Sequence, residues 1–203
     1  MPDVMAMNVG SIGPGLTEPV GDSQAVFRLV LDCLARPGSI GELSAEIHLS
    51  SGLALSEAAL AVGLTLLDFE TPFWVDTAAR QIAPFFRFHC NAPLAARPEE
   101  ARFAFARDLA ALPPMAEFNL GSADYPDRST TIVLDVAGLE AGRGLTLRGP
   151  GIQSAARLNV RGVPEAFWAE RAALMPLFPL GIDLILTCGR RVAALPRTTI
   201  VEA

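Results

Sequence analysis

A chain of 203 residues, 51% of them apolar and 19% charged, is long enough for one domain that buries about 70% of the surface its unfolded form exposes, so no disulfide or metal is needed to hold a core. All 16 basic residues are arginine, which excludes an internal aldimine with pyridoxal phosphate and the lysine of a Walker phosphate loop. A net charge of −6 argues against a nucleic-acid backbone as partner, because such binding is carried by clustered basic charge.

In chain order, residues 1–21 have neither a basic start nor a continuous apolar stretch, so they read as a flexible N-terminal arm rather than a signal peptide. Asp22 or Ser23 then caps a helix in which Val26, Phe27, Val30, Cys33 and Leu34 recur at helical spacing as far as Pro37-Gly38. After a loop or edge segment through Ile47, Ser56 caps a second helix, apolar nearly all round, that should be buried on most sides and end near Asp68. The apolar run from Ala58 to Leu67 is ten residues, against about twenty for a membrane span, so no membrane partner is expected. A strand "PFWVD" follows. Pro84, Pro93 and Pro98 interrupt the next stretch and leave "FFRFHC" open between strand and helix.

"ARFAFA" alternates as a strand does. "LPPMAEFNLGSADYPDRS" is turn material, and it leads to two adjacent strands, "TTIVLDV" and "RGLTLRG". "ARLNVRG" predicts a short strand, "PEAFWAERAALMPLF" a helix with Pro164 at its first turn, "GIDLILTCG" a buried strand, and "RVAALP" a last strand after the turn at Gly189 to Arg191. The alternation predicts an α/β fold, a mixed sheet flanked by helices, with residues 22–203 forming a single domain.

The stretch "LTLRGPGI", residues 145–152, has the look of a strand entering a phosphate loop. Pro150 has no N–H to offer, however, and no lysine or P-loop hydroxyl follows. A weaker anion site made by Arg148 with the amides of Gly149 and Gly151 stands beside the alternative of a tight turn. His89 and Cys90, as neighbours in an extended segment, would point to opposite faces and could not share a proton. His48 is the only other histidine, and no short Cys/His spacing marks a metal site. Cys33, Cys90 and Cys188 read as reduced thiols in a cytoplasmic protein. Trp168 and Met175 sit at core spacing on their helix. Asp183, amid apolar residues, needs a partner, and Arg197 is the candidate, as a structural ion pair or with Asp183 as a catalytic acid. No residue set makes a self-sufficient active site, so no catalytic residue is assigned.

Taken together, "FRLVLDCLARPG", "LLDFETPFW", "FHCNAP", "YPDRSTTIV", "LTLRGPGI", "FPLGIDLIL" and "LPRTT" occur in an order and spacing that resembles the PhnH family, the H subunit of the bacterial carbon-phosphorus lyase system for phosphonate use. The resemblance runs from about residue 22 to the end. It implies a fold like the large domain of pyridoxal-phosphate-dependent transferases without the cofactor site, hence no cofactor. It also implies a homodimer that assembles with the G, I and J subunits. The G, H, I and L subunits together are associated with replacing the adenine of ATP by an alkylphosphonate, and the iron-sulfur J subunit later breaks the carbon-phosphorus bond. No catalytic residue carries over. The classes left open are an assembly subunit, a binding subunit that grips phosphonate or nucleotide through Arg148 and Arg197, and an independent enzyme.

Overall fold

A computed structural model describes residues 12–44 and 53–202. The first helix, α1 (Pro19–Ala35), begins earlier than the cap expected at Asp22 or Ser23, because Pro19 suits a first turn whose N–H groups lack partners anyway. Asp22 serves the cap from inside: its carboxylate accepts the Glu18 N–H at 2.8 Å. Val26, Val30 and Cys33 face the core. Phe27 does not, and is 46% exposed, since it stands about 100° round the helix from Val26.

After β1 (Gly41–Glu42), α2 (Glu57–Leu66) starts at Ser56, whose hydroxyl accepts the Ala59 N–H at 3.3 Å, and it buries Ala58 through Gly63. β2 (Phe73–Val75) leads to α3 (Ala83–Cys90), which settles "FFRFHC" as helix. Pro84 lies in the first turn of α3, where proline starts a helix instead of breaking it. There follow β3 (Phe103–Ala106), β4 (Thr131–Asp135), β5 (Gly138–Arg148), β6 (Ala156–Arg161), α4 (Glu165–Leu174), β7 (Asp183–Cys188), β8 (Arg191–Leu195) and β9 (Ile200–Glu202). "RVAALP" is thus not the last strand.

Six strands form one mixed sheet in the order β1-β8-β7-β4-β3-β2. β2, β3, β4 and β7 run parallel, β8 is antiparallel to β7, and β1 is antiparallel to β8. "TTIVLDV" and "RGLTLRG", consecutive in sequence, enter different sheets: β5 joins β6 and β9 in a second, antiparallel sheet of three strands. The central strands are covered on both faces, which is why they read as unbroken apolar runs. Along β4, Val133 packs with α1, α2 and α3, while Ile132 and Leu134 pack on the other side with Leu139, Leu147, Leu158 and Trp168. The period of two repeats along β7, where Ile185 joins the first core and Leu184 and Leu186 the second. The result is three layers, with helices above the mixed sheet and α4 plus the small sheet below. No helix among the described residues is long and apolar enough to cross a membrane.

Candidate functional site

The Gly-Pro-Gly segment is a turn closed on itself, with the Gly149 carbonyl accepting the Ile152 N–H at 3.2 Å. Its glycines are needed for close approach. A Cβ on Gly149 would stand 2.7 Å from the Thr198 carbonyl oxygen, and one on Gly151 would stand 2.2 Å from that of Ala35. The turn is therefore wedged between the end of α1 and the "PRTT" loop. Arg148, at the end of β5, lies across the sheet from Glu202 at 3.4 Å with both side chains about half exposed, and Nη1 donates to the Ser154 carbonyl at 3.3 Å.

Arg197 is engaged on every side. Nε donates to Asp183 Oδ1 at 3.2 Å and Nη2 to Asp183 Oδ2 at 2.5 Å, which is the ion pair that an acid in an apolar strand required. Nη2 also reaches the Ser129 hydroxyl at 2.5 Å, while Nη1 donates to the carbonyls of Pro126 at 2.7 Å and Pro179 at 3.3 Å. A guanidinium has five N–H groups, and all are used. The same loop is held from beneath by Arg171, which donates to the carbonyls of Thr199 at 2.7 Å, Pro196 at 2.6 Å and Leu195 at 3.5 Å. Burial pushes the Arg171 pKa down to about 10, with Asp183 opposing the shift, so the side chain stays charged at neutral pH. The sequence held a trace of this residue: Phe167, Arg171 and Leu174, at helical spacing, put a cation on the buried stripe of α4.

The carboxyl ends of parallel strands are where open α/β sheets hold ligands, and two acids missed in the sequence stand there. Asp76, wholly buried just past β2, accepts the N–H groups of Ala79 at 2.5 Å, Arg107 at 2.7 Å and Asp108 at 2.8 Å. Asp135, closing β4, accepts the Ser56 N–H and the Thr187 hydroxyl, each at 3.1 Å, and burial raises its carboxyl pKa. Arg107, Leu109, Asp135, Ala137 and Gly162 line a cavity of about 200 Å³. It offers a guanidinium beside a carboxyl that holds its proton more readily than usual, room for a small polar ligand. The sequence signal was an acid ending each of the runs "PFWVD" and "TTIVLD".

His89 and Cys90 lie on a helix, not in the extended segment expected, yet they still serve different partners. His89 Nε2 is 3.1 Å from the Gly13 carbonyl, to which only the imidazole can donate, and the Cys90 thiol faces the Gly63 carbonyl at 3.9 Å. Trp168 is buried and Met175 partly so. His48 is outside the described residues, among which no group of three or more His, Cys, Asp and Glu could hold a metal. Burial raises the Cys33 thiol pKa and pushes that of Cys90 up to about 11. Alkylation of Cys90 by iodoacetamide at pH 8 is expected to be about 100-fold slower in the native chain than in urea, since only the thiolate reacts. Peptide mapping that finds native and unfolded rates within threefold of each other would contradict this.

Fold and side chains define a lysine-free, three-layer α/β domain whose best-marked motifs are packed against one another. Residues 14–202 match the family model described as bacterial phosphonate metabolism protein (PhnH), and the chain belongs to that family. It is 44% identical over 187 residues, 91% of this chain and 92% of the relative, to the alpha-D-ribose 1-methylphosphonate 5-triphosphate synthase subunit PhnH of Rhizobium meliloti (strain 1021). It is also 34% identical over 184 residues, 87% of this chain and 84% of the relative, to the putative C-P lyase subunit protein HtxG of Stutzerimonas stutzeri.

Proposed function

We propose that this chain is the H-type subunit of a ribose 1-alkylphosphonate 5-triphosphate synthase. It acts inside a carbon-phosphorus lyase assembly, with the G, I and J subunits as partners, and its fold resembles the large domain of pyridoxal-phosphate-dependent transferases without the cofactor site. The observation that carries the reading is the 44% identity to a subunit of that synthase across nine tenths of both chains. The reduced thiols suit the cytoplasm. A homodimer is supported by α1, where Phe27 and Leu31, one turn apart, leave apolar surface in solvent that a second copy would cover. The dimer contacts belong to residues 22–203, and deletion of the arm 1–21 leaves the dimer intact.

Affinity purification of the tagged chain co-expressed with G, I and J is expected to recover all four proteins, and sedimentation of the chain alone a dimer at micromolar concentration. Recovery of the chain without partners sinks the subunit reading. The alternative of a ligand-gripping subunit rests on Arg148 with Gly149 and Gly151, since Arg197 is committed to the fold, while the exposed Arg148–Glu202 pair is displaceable by an anion. An Arg148→Ala variant that assembles and supports growth on a phosphonate as well as wild type removes that alternative.

A further inference from the structure

Three of the motifs that mark the family, "YPDRS", "FPLGID" and "PRTT", meet at one corner. Arg197 Nη1 holds the Pro126 and Pro179 carbonyls together. It thereby sets the Tyr125 loop beside the Phe178 loop. Tyr125, Leu177 and Phe178 are nevertheless 51%, 46% and 62% exposed. Arg128 stacks over the Tyr125 ring, its guanidinium carbon 4.0 Å from the centroid. Rigid, exposed aromatic and arginine side chains of this kind are what interface hot spots are made of, because little ordering is left to be done on binding.

A cleft opens beside them, walled by Leu174, Met175 and Phe178 with Arg171 and Arg197 in its lining and no acid among the described residues that line it. Arg171 is 3% exposed and its Nε has no partner among the described residues. Both oxygens of Asp183 are already engaged by Arg197, so two guanidiniums share one carboxylate and the cleft carries a net positive charge within a chain of net charge −6. Asp124 and Asp127 are exposed nearby in sequence, but neither lines the cleft.

We propose that this corner is a docking surface for a different subunit, which lays an apolar segment on Tyr125, Leu177 and Phe178 and sets a carboxylate over the cleft. The proposal rests on the subunit reading given above. Charge selects the occupant. A second copy related by a two-fold axis would bring two positive clefts face to face, which like-charge repulsion opposes.

The experiment compares wild type, Leu177→Glu, Leu177→Arg, Tyr125→Ala and the exposed-aromatic control Phe88→Glu, each as the full chain co-expressed with the other synthase subunits. Melting curves and sedimentation of each chain alone verify fold and self-association. Leu177→Arg and Tyr125→Ala are each expected to weaken assembly about tenfold, and Leu177→Glu about tenfold more, with Phe88→Glu unaffected. Wild type that fails to assemble overturns the subunit reading itself. If wild type assembles and the Leu177 and Tyr125 variants assemble equally well, or Phe88→Glu fails alongside them, the surface is wrong. Equal losses for Leu177→Glu and Leu177→Arg overturn the carboxylate, and loss of the dimer in Leu177→Glu assigns the corner to self-association.

Discussion

Replacing Arg197 by alanine is expected to cost the fold about 3 to 5 kcal/mol, the range found when one half of a desolvated ion pair is removed. Asp183 would keep the Arg197 backbone N–H at 2.7 Å but lose both side-chain donors. The Ser129 hydroxyl would lose its guanidinium donor in the same step, and the Pro126 carbonyl would keep only the long contact from the Ser129 N–H at 3.4 Å. The pair is not fully dry, with side chains 15% and 21% exposed, so water softens the loss towards the lower end of the range. Lysine should not rescue, because its three N–H groups cannot reproduce a planar fork that serves acceptors on four residues. Urea unfolding of Arg197→Ala, Asp183→Asn and the double variant gives the coupling directly. A coupling of about 1 kcal/mol or more is expected for such contacts, and none at all would mean that the carboxylate does not need the guanidinium.

Gly151→Ala is expected to destabilise by about 2 to 5 kcal/mol, combining backbone strain with overpacking. Gly151 has φ +79°, and its added Cβ would meet the Ala35 carbonyl oxygen at 2.2 Å, backbone against backbone. Neither side can swing away as a flexible side chain would. Gly142 supplies the internal comparison, since its φ is +84° and nothing lies within 4 Å of the Cβ it would gain. Gly142→Ala should therefore show the strain alone, about 1 to 2 kcal/mol. Equal midpoint shifts for the two variants in thermal unfolding would show that the turn is not wedged against α1.

What could be read in the sequence was what neighbouring residues decide among themselves. Ser56 announced α2 because a hydroxyl ahead of an apolar run can close the first turn, and "IDLILTC" announced a strand buried on both faces. The Asp183–Arg197 pair was legible because an acid in such a strand demands a cation. α3 was obscured by Pro84, since the effect of a proline reverses between the first turn of a helix and its interior. The second sheet left no local mark, because β5 finds its partners in β6 and β9, and pairing across such distances depends on the whole chain. Arg171 escaped for a related reason. Its partners are main-chain carbonyls, which carry no residue type, and the close approach that the glycines at 149 and 151 allow is to backbone from α1 and from the "PRTT" loop, equally silent in the sequence.

The insertion of β7 between β4 and β8 bears on how the chain emerges from the ribosome. β2, β3 and β4 can pair as soon as they are made, but the far edge of β4 then waits while β5, β6 and α4 are translated. During that interval "TTIVLDV" presents a β-branched edge with unpaired main-chain groups, the kind of surface on which nascent chains associate wrongly. The polar turn material ahead of β4 and the acid at its end, Asp135, bound the exposed length of that edge until β7 closes it.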